Sequence, residues 1–454
     1  MRNLIKFHKI FGLFVAYIGF FFFFSGALGY YKDEISTFMQ PKIYKLDYKN
    51  SDYIKIAFEF LQKNHPNDAR WIIYPPNFIN PYIKVISQKE ITNEKIKKLK
   101  FVALNPQNGE IIDLDKNFGG KFLAELHFKL WYLSKNLSGK IVAYFGIFML
   151  FVIIIGILIH NRIFKDFFKL KNKTFWFDMH ILMGVSGFII FVLLIFSGLY
   201  IAQKDILKGK VDSKIKTFHS INTDFIPQIS DVKEIIAKNS KDREILSVEI
   251  KKTDLTINFN NKNPFESAGK GNYVYEIYDF NGSMIKKSKP QKMDYSKYVV
   301  NFMKIYHKKI FGGEAVKFMF FIFGIFGALM CFSGVYLWYK KNHSNLVKNI
   351  AKTANISIFI GLFSGLGFYL LSNQLSFKNE TDMFFAGILL MFLISFLKNG
   401  YKIASIFTSV LFMILFILVA LKGGFENFAV LEIEIFILIV AFGFGIFALK
   451  RVEK

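Results

Sequence analysis

Long uncharged stretches recur along the chain, and lysine-rich polar segments separate them. A helix needs roughly 20 mainly apolar residues to cross the hydrocarbon core of a bilayer. Six stretches satisfy this length directly, a seventh (Met383–Leu397) satisfies it with its apolar flanks, and an eighth (Phe428–Leu449) spans if Glu432 and Glu434 lie at one membrane surface. We therefore predict an α-helical polytopic membrane protein with eight spans, at Ile10–Tyr31, Ile141–Asn161, Met179–Gln203, Phe318–Tyr339, Thr353–Phe377, Met383–Leu397, Ile403–Leu421 and Phe428–Leu449.

Two large polar segments, 32–139 and 204–316, separate spans one and two and spans three and four. Apolar residues at helical spacing alternate there with short β-like runs, which indicates α+β domains. Asn-Gly pairs between apolar runs favour hairpins, because such turns need positive φ. The predicted elements are a helix at Ser51–Asn64 with Ile54, Ala57, Phe58 and Leu61 on one face, strands at Trp71–Tyr74, Tyr82–Ser87 and Phe101–Leu104, and hairpins at Asn108-Gly109 and Asn281-Gly282.

One polar pattern occurs twice inside these apolar stretches. His8-x3-Gly12-x12-Ser25-Gly26 recurs in the second half as His180-x3-Gly184-x12-Ser197-Gly198. Further along, His127 corresponds to His307 and Gly156 to Gly334, at closely similar offsets. We predict a tandem-duplicated four-helix core in which both halves run in the same direction. The expected parts are a first repeat at 1–164 with an outer domain at about 32–120, a second repeat at 165–349 with an outer domain at about 204–300, and four additional C-terminal helices in 350–454.

Charge changes this picture in two ways. The net charge is +25, but lysine is spread through every loop, so the pattern does not favour nucleic-acid binding. Basic residues concentrate before span one, after span two and after span four, which places these ends in the cytoplasm by the positive-inside rule. Both termini are then cytoplasmic and both large domains are outside. The single cysteine, Cys331, excludes a disulfide within the chain.

Five histidines are expected at membrane ends. His8, His160 and His180 fall on the cytoplasmic side, and His127 and His307 fall on interfacial helices outside, with Gly139 and Gly312-Gly313 turning the chain inward. Ionisable residues in spans are rare and usually functional, and neutral imidazole is a common metal ligand. Haem iron takes two axial ligands, often histidine. We predict two haem irons, each ligated by one pair of histidines. The inner pair is His8 and His180, with His160 as an alternative inner ligand, and the outer pair is His127 and His307.

Gly12 and Gly184 follow His8 and His180 by one helical turn. We expect them to make room for a flat macrocycle beside the helix. The alternative is that they only permit close helix packing. Copper or zinc is less favoured, because thiolates are absent and carboxylates near the histidines are few. Because the cytoplasmic loops lack a Gly-x-Gly-x-x-Gly segment after a strand, the electron donor is expected to be a quinol or a separate reductase.

The motifs resemble those of the PepSY-associated transmembrane family, over about residues 1–345. The family includes inner-membrane proteins of bacterial iron acquisition, among them FoxB-type ferric-siderophore reductases that contain b-type haem. The resemblance implies haem b, periplasmic PepSY-like outer domains and electron transfer. The matching segments are Gly156–Phe168, Trp176–Gly184, Leu126-His127, Tyr306-His307 with Gly312, Ser333–Trp338, Asn105–Glu110 and Tyr278–Gly282.

The expectation is therefore an inner-membrane oxidoreductase with two haems b. It would pass electrons to a periplasmic acceptor, most simply reducing a ferric siderophore and releasing ferrous iron. The alternative is a non-redox permease or accessory subunit whose PepSY-like domains bind a partner protein. Haem content separates the two, and the sequence assigns no catalytic residue.

Overall fold

The computed structural model describes residues 2–89, 100–160, 174–207, 227–260, 273–288, 295–308, 313–341 and 344–450. The chain forms two compact units, and each draws on both halves of the sequence. A helical unit contains Met1–Pro41, Lys116–Gly209 and Tyr306–Lys454, and a sheet unit contains Lys42–Asp115 and Lys210–Ile305. The cations predicted between spans two and three, together with His219, Gly312 and His343, lie outside the described residues.

The helical unit is built from long apolar helices and a few short amphipathic ones. Its helices are α1 (Arg2–Tyr30), α2 (Lys32–Phe38), α4 (Gly119–Lys129), α5 (Lys135–Ile159), α6 (Phe175–Leu207), the end of α8 (Tyr295–His307), α9 (Gly313–Lys341), α10 (Asn345–Asn355), α11 (Gly361–Gln374), α12 (Glu380–Ile394), α13 (Gly400–Leu421) and α14 (Phe428–Lys450). Helix α10 continues into α11 through a π-helical turn at Ile356–Ile360.

Four of the long helices pack together. Helix α1 packs against α5 and α9, and α6 packs against the same two helices. Helices α1 and α6 occupy equivalent places, each bearing a histidine near its start and a Ser-Gly pair near its end. The order α1, α4, α5 in the first half recurs as α6, α8, α9 in the second.

Seven helical segments in the described residues are long and apolar enough to cross a membrane, with α10–α11 counted as one. The predicted span Met383–Leu397 contributes α12, which has only 15 residues and is therefore not among these seven. At about 1.5 Å per residue, α12 is about 22 Å long, less than a hydrocarbon core of about 30 Å.

Helix α12 nevertheless runs back along the full length of α11. It starts just after Gln374 and ends where the Ser395 hydroxyl donates to Thr353 Oγ1 at 3.3 Å. The two helices approach closely because glycines face each other: a Cβ on Gly387 would stand 2.8 Å from Gly365 Cα. Small residues at such contacts let helix backbones meet in a membrane.

The sheet unit contains α3 (Tyr53–Asn64), α7 (Ile229–Asn239) and eight strands. The strands are β1 (Arg70–Tyr74), β2 (Ile83–Gln88), β3 (Val102–Leu104), β4 (Ile111–Ile112), β5 (Ile245–Lys251), β6 (Leu255–Asn260), β7 (Tyr273–Tyr278) and β8 (Met284–Lys287). The predicted helix and the three predicted strands of the first half are confirmed. Ile54, Ala57, Phe58 and Leu61 of α3 are buried in the apolar core as expected.

The strands form one continuous sheet in the order β4-β3-β2-β1-β5-β6-β7-β8, antiparallel throughout. The first strands of the two halves pair at its centre, with Trp71 opposite Ile250. Side chains from both halves, including Trp71 and Ile250, share one apolar core with α3 and α7. The strands of the two predicted outer domains therefore belong to one sheet unit.

Three turns decide how the elements connect. Both predicted hairpins are present, but only the glycine of each Asn-Gly pair has positive φ, at 75° for Gly109 and 82° for Gly282. Gly139 does not turn the chain before α5, because it lies inside that helix. The chain turns instead at Leu130 and Trp131, both of which have a φ of 51°.

Candidate metal centre

The outer pair comes together at the ends of two short helices. His127 lies in the last turn of α4, and His307 is the last residue of α8. Their ring centroids are 6.2 Å apart, with an angle of 30° between the ring planes. Helix α4 is held in place by Phe122, which is fully buried and packs against Tyr369 of α11 at 4.8 Å.

The inner pair lies at the other end of α1 and α6. His8 is in the second turn of α1, and His180 is in the second turn of α6. Their ring centroids are 6.4 Å apart, with an interplanar angle of 70°. The structure therefore brings together both of the pairs that the repeat predicts. All four histidines are partly buried.

Each of the four histidines lies against a glycine of a neighbouring helix. A Cβ built on that glycine would stand about 3 Å from the Cε1 atom of the ring, closer than ordinary carbon–carbon contact of about 3.5–4.0 Å. A glycine at these positions therefore lets the imidazole ring lie where it does without a close contact to a Cβ atom. The four contacts are Gly26 with His127 (3.0 Å), Gly198 with His307 (2.9 Å), Gly156 with His8 (3.2 Å) and Gly334 with His180 (3.1 Å).

The backbone one turn before each glycine meets the same histidine. Nδ1 of His127 lies 3.1 Å from the Phe22 carbonyl, Nδ1 of His307 lies 3.1 Å from the Leu194 carbonyl, and Nδ1 of His180 lies 3.0 Å from the Met330 carbonyl. The Val152 backbone takes this position for His8. Nδ1 of His8, however, makes no hydrogen bond to the described residues, so the inner pair is the less symmetric one.

Serine hydroxyls add a second contact to three of the rings. Ser25 and Ser197 lie 3.4 Å and 3.1 Å from Nδ1 of His127 and His307, respectively, and Ser333 lies 3.2 Å from Nδ1 of His180. Each serine immediately precedes the glycine that the same ring contacts. The Ser-Gly pairs of the sequence pattern therefore act on the histidines of other helices.

These contacts fix the tautomer of the bonded imidazoles. A carbonyl oxygen only accepts, so Nδ1 must carry the proton and donate, which leaves the Nε2 lone pair free. Burial lowers the pKa of His127 to about 4. Burial, together with the neighbouring His127, lowers the pKa of His307 to about 4. Both rings are thus neutral at physiological pH, the form that binds metals, and a backbone carbonyl that accepts from Nδ1 is typical of metal-ligating histidine.

The separation of the rings fits one metal ion between each pair. An imidazole nitrogen lies about 2.0 Å from a bound first-row metal and about 1.2 Å from its own ring centroid, so two rings on opposite sides have centroids about 6.4 Å apart. The observed centroid separations are 6.2 Å and 6.4 Å. The residues present therefore fit a metal with two axial histidines, as in haem.

Gly12 and Gly184 do not lie against the rings. A Cβ on Gly12 would meet Val152 Cγ1 at 3.7 Å, and one on Gly184 would meet Met330 Sδ at 3.4 Å. Both are ordinary contacts, so these two glycines support helix packing rather than leaving the space that the sequence suggested. His160 caps α5, one turn after Gly156, and the ring contact of the inner pair is between His8 and His180.

The two pairs are coupled by the same pair of helices. Gly26 follows His8 on α1 at the same spacing as Gly198 follows His180 on α6. This spacing is about five helical turns, so each histidine and its glycine share one face of a helix, about 27 Å apart. The sequence contained this signal, but the glycines at the far ends of the two helices were not recognised as contacts of the outer pair.

The profile of the PepSY-associated TM region matches residues 5–341 of the chain. The chain belongs to the PepSY-associated transmembrane family. No curated protein matches it. Both histidine pairs of this PepSY-associated transmembrane protein lie within the matched region, whereas α10–α14 follow it.

Proposed function

We propose that each histidine pair holds one haem b and that the protein is a membrane oxidoreductase. The observation that carries this proposal is the repeated geometry: both pairs have the ring separation that two axial ligands need. Two independent helix pairings converging on one distance favour a shared ligand over simple packing. Histidine packing alone would not require a glycine against every ring.

The residues of the chain would do three things. His127, His307, His8 and His180 would supply Nε2 as axial ligands. The carbonyls of Phe22, Leu194 and Met330 would hold three of these imidazoles in the ligating tautomer. Haem, when bound, would supply one-electron chemistry at two levels of the membrane, with potentials set by ligands, burial and hydrogen bonds.

The layer between the pairs is apolar and closely packed. Phe23 and Phe191 meet there with ring centroids 5.1 Å apart, and Phe191 is fully buried. A Cβ on Gly327 would stand 2.4 Å from the Phe23 ring, and one on Gly187 would stand 2.4 Å from the Phe191 ring. Such close packing around Phe23 and Phe191 leaves little room for water at this level of the helical unit.

We propose a bacterial inner-membrane location with both termini in the cytoplasm and the sheet unit in the periplasm. The basic ends of the helices support this orientation, since Lys340 and Lys341 end α9 near the inner pair and Lys348 and Lys352 lie in α10. The inner pair would then accept electrons from a quinol or a separate reductase. The outer pair would pass them to the periplasmic side.

The acceptor we propose is a ferric chelate, most simply a ferric siderophore, which would make the protein a ferric-chelate reductase. Reduction weakens binding by hard oxygen ligands and so frees ferrous iron. This acceptor is the one expected from the sequence motifs. The acceptor would not sit between two outer domains, because β1 and β5 pair directly there.

The test is a reduced-minus-oxidised absorption spectrum of the purified full-length protein, with haem quantified. About two haems b per chain are expected. A double variant, His127→Ala with His307→Ala, should lose about half of the haem, whereas His65→Ala, an exposed histidine of the sheet unit, should lose none.

Substrate is tested separately. Chemically reduced protein should be reoxidised by ferric siderophore under anaerobic conditions, with ferrous iron captured by ferrozine. Haem that stays reduced in the presence of several chelates would contradict the reductase proposal while leaving haem binding intact. Protein without haem would contradict both and favour the non-redox accessory subunit.

A further inference from the structure

A second cluster of chemistry-bearing side chains lies away from the histidines, where three helices of the helical unit meet. Glu34 of α2, Glu314 of α9 and Glu432 of α14 each offer a carboxylate oxygen, and the three atoms lie within 4.8 Å of one another. Lys317 donates to Glu34 Oε1 at 2.6 Å and also pairs with Glu314. The Tyr31 ring covers this ammonium at 4.6 Å.

Lys317 does not donate to every carboxylate oxygen of the cluster. Glu34 is only 2% exposed, and its Oε2 atom has no hydrogen-bond partner among the described residues. The Oε2 atom of Glu432 is likewise buried and without a partner in this part of the chain. A buried carboxylate oxygen without a donor is costly, so these two atoms point to a ligand that the protein side chains do not provide.

Charge and spacing identify the class of that ligand. Three carboxylates and one ammonium leave a formal charge of −2, which one divalent cation would neutralise. Calcium binds oxygen ligands at about 2.4 Å, so oxygens on opposite sides of the ion lie about 4.8 Å apart. The three oxygens of the cluster lie within this distance of one another. Magnesium needs a tighter octahedron with oxygens at about 2.1 Å.

We propose that Glu34, Glu314 and Glu432 bind one divalent cation of about the size of calcium. The ion enters past Glu314, the most exposed of the three, whose side chain is 53% exposed. It completes the coordination of Glu34 and Glu432 and shares its carboxylates with Lys317. This site is independent of the histidine pairs and does not rest on the proposed haem.

The site gives the C-terminal helices a defined attachment to the family core. Glu432 belongs to α14, which lies beyond the region matched by the family profile, whereas Glu34 and Glu314 lie inside it. Helix α14 already packs against α2. A bound cation joins the three helices and therefore stabilises the folded chain in proportion to its occupancy.

The experiment uses full-length protein in detergent, stripped with EDTA and titrated with terbium, a luminescent ion of similar size to calcium. Tyr31 beside the cluster is the antenna, so tyrosine excitation should give saturable terbium emission that calcium reverses. Glu314→Gln and Glu432→Gln should each weaken binding by at least about tenfold, because each removes one charged ligand. Glu59→Gln, an exposed glutamate of α3 paired with Lys55, is the matched control and should bind unchanged.

Lys317→Gln should change the cation affinity in the opposite direction. Its ammonium competes with the ion for the same carboxylates, so its removal should tighten terbium and calcium binding. Calcium should also raise the Tm of the parent protein and not that of Glu314→Gln, whose exposed position keeps the variant folded. Absence of saturable emission, or equal affinity in the parent and Glu314→Gln, would overturn the proposal.

Discussion

Gly26 is the residue through which the outer pair can be disturbed without touching a ligand. In Gly26→Ala, the new methyl group would stand 3.0 Å from His127 Cε1. Restoring an ordinary contact of about 3.6 Å requires the ring to move by about 0.6 Å. Metal–ligand distances tolerate only about 0.2 Å. Because Ala favours a helix over Gly by about 1 kcal/mol, the variant should still fold.

The assay is haem per chain from the absorption of the dissociated cofactor, with thermal unfolding as a check on folding. Gly26→Ala should retain about one haem of two, the inner one. Gly198→Ala should likewise retain only the inner haem, because its methyl group would stand 2.9 Å from His307 Cε1. Gly12→Ala is the matched control on the same helix, since its methyl group meets Val152 at an ordinary 3.7 Å.

Two results would refute this reasoning. If Gly26→Ala keeps both haems with an unchanged spectrum, the glycine contact does not set the position of the ligand. If Gly12→Ala loses as much haem as Gly26→Ala, the effect belongs to helix packing in general. In either case the ring separation of the outer pair would no longer support an axial role.

Three further predictions follow from the structure. His8→Ala and His180→Ala should each remove the inner haem and leave the outer one, and a larger loss in His160→Ala would show that the inner pair is assigned wrongly. Burial raises the pKa of Glu276, but hydrogen bonds from Arg243, Tyr278 and Lys287 lower it to about 2. The stability that Glu276 contributes is therefore present above its ordinary pKa of about 4.5 and lost as pH falls towards 2, so acid unfolding of Glu276→Gln should be less steep, as followed by circular dichroism. Reporter fusions after Lys251 should be active in the periplasm and fusions after Lys454 should not; periplasmic activity at Lys454 would exclude the proposed topology.

Periodicity predicted the elements whose partners are local. The apolar face of α3 and the three strands of the first half follow from spacing alone, because side-chain direction is set by the helical and strand periods. The two histidine pairings also followed from sequence, since equal spacing in two halves implies equal depth. The haem itself stays a prediction.

What the sequence did not reveal depends on contacts between distant segments. Alternation in β1 shows which face is buried but not that β5 is its neighbour. Gly12 and Gly184 were chosen because they are near the histidines in sequence, whereas Gly26 and Gly198 contact the histidines of other helices. The predicted span Met383–Leu397 has the same length as α12 but is displaced along the chain, because the helix starts at Glu380 and ends at Ile394, and Phe396 lies in the turn that follows.

The pairing of β1 with β5 constrains the order in which the outer part of the chain can mature. Trp71 can pair with Ile250 only after α4, α5 and α6 have been synthesised and, in the proposed topology, after the chain has crossed the bilayer and returned. Until then, β1 presents an open edge that another copy of the same strand could occupy. During biogenesis, pairing of β1 with β5 of the same chain therefore competes with pairing of β1 with a strand of a neighbouring nascent chain. Slow translation between the two halves should favour intertwined, non-native dimers.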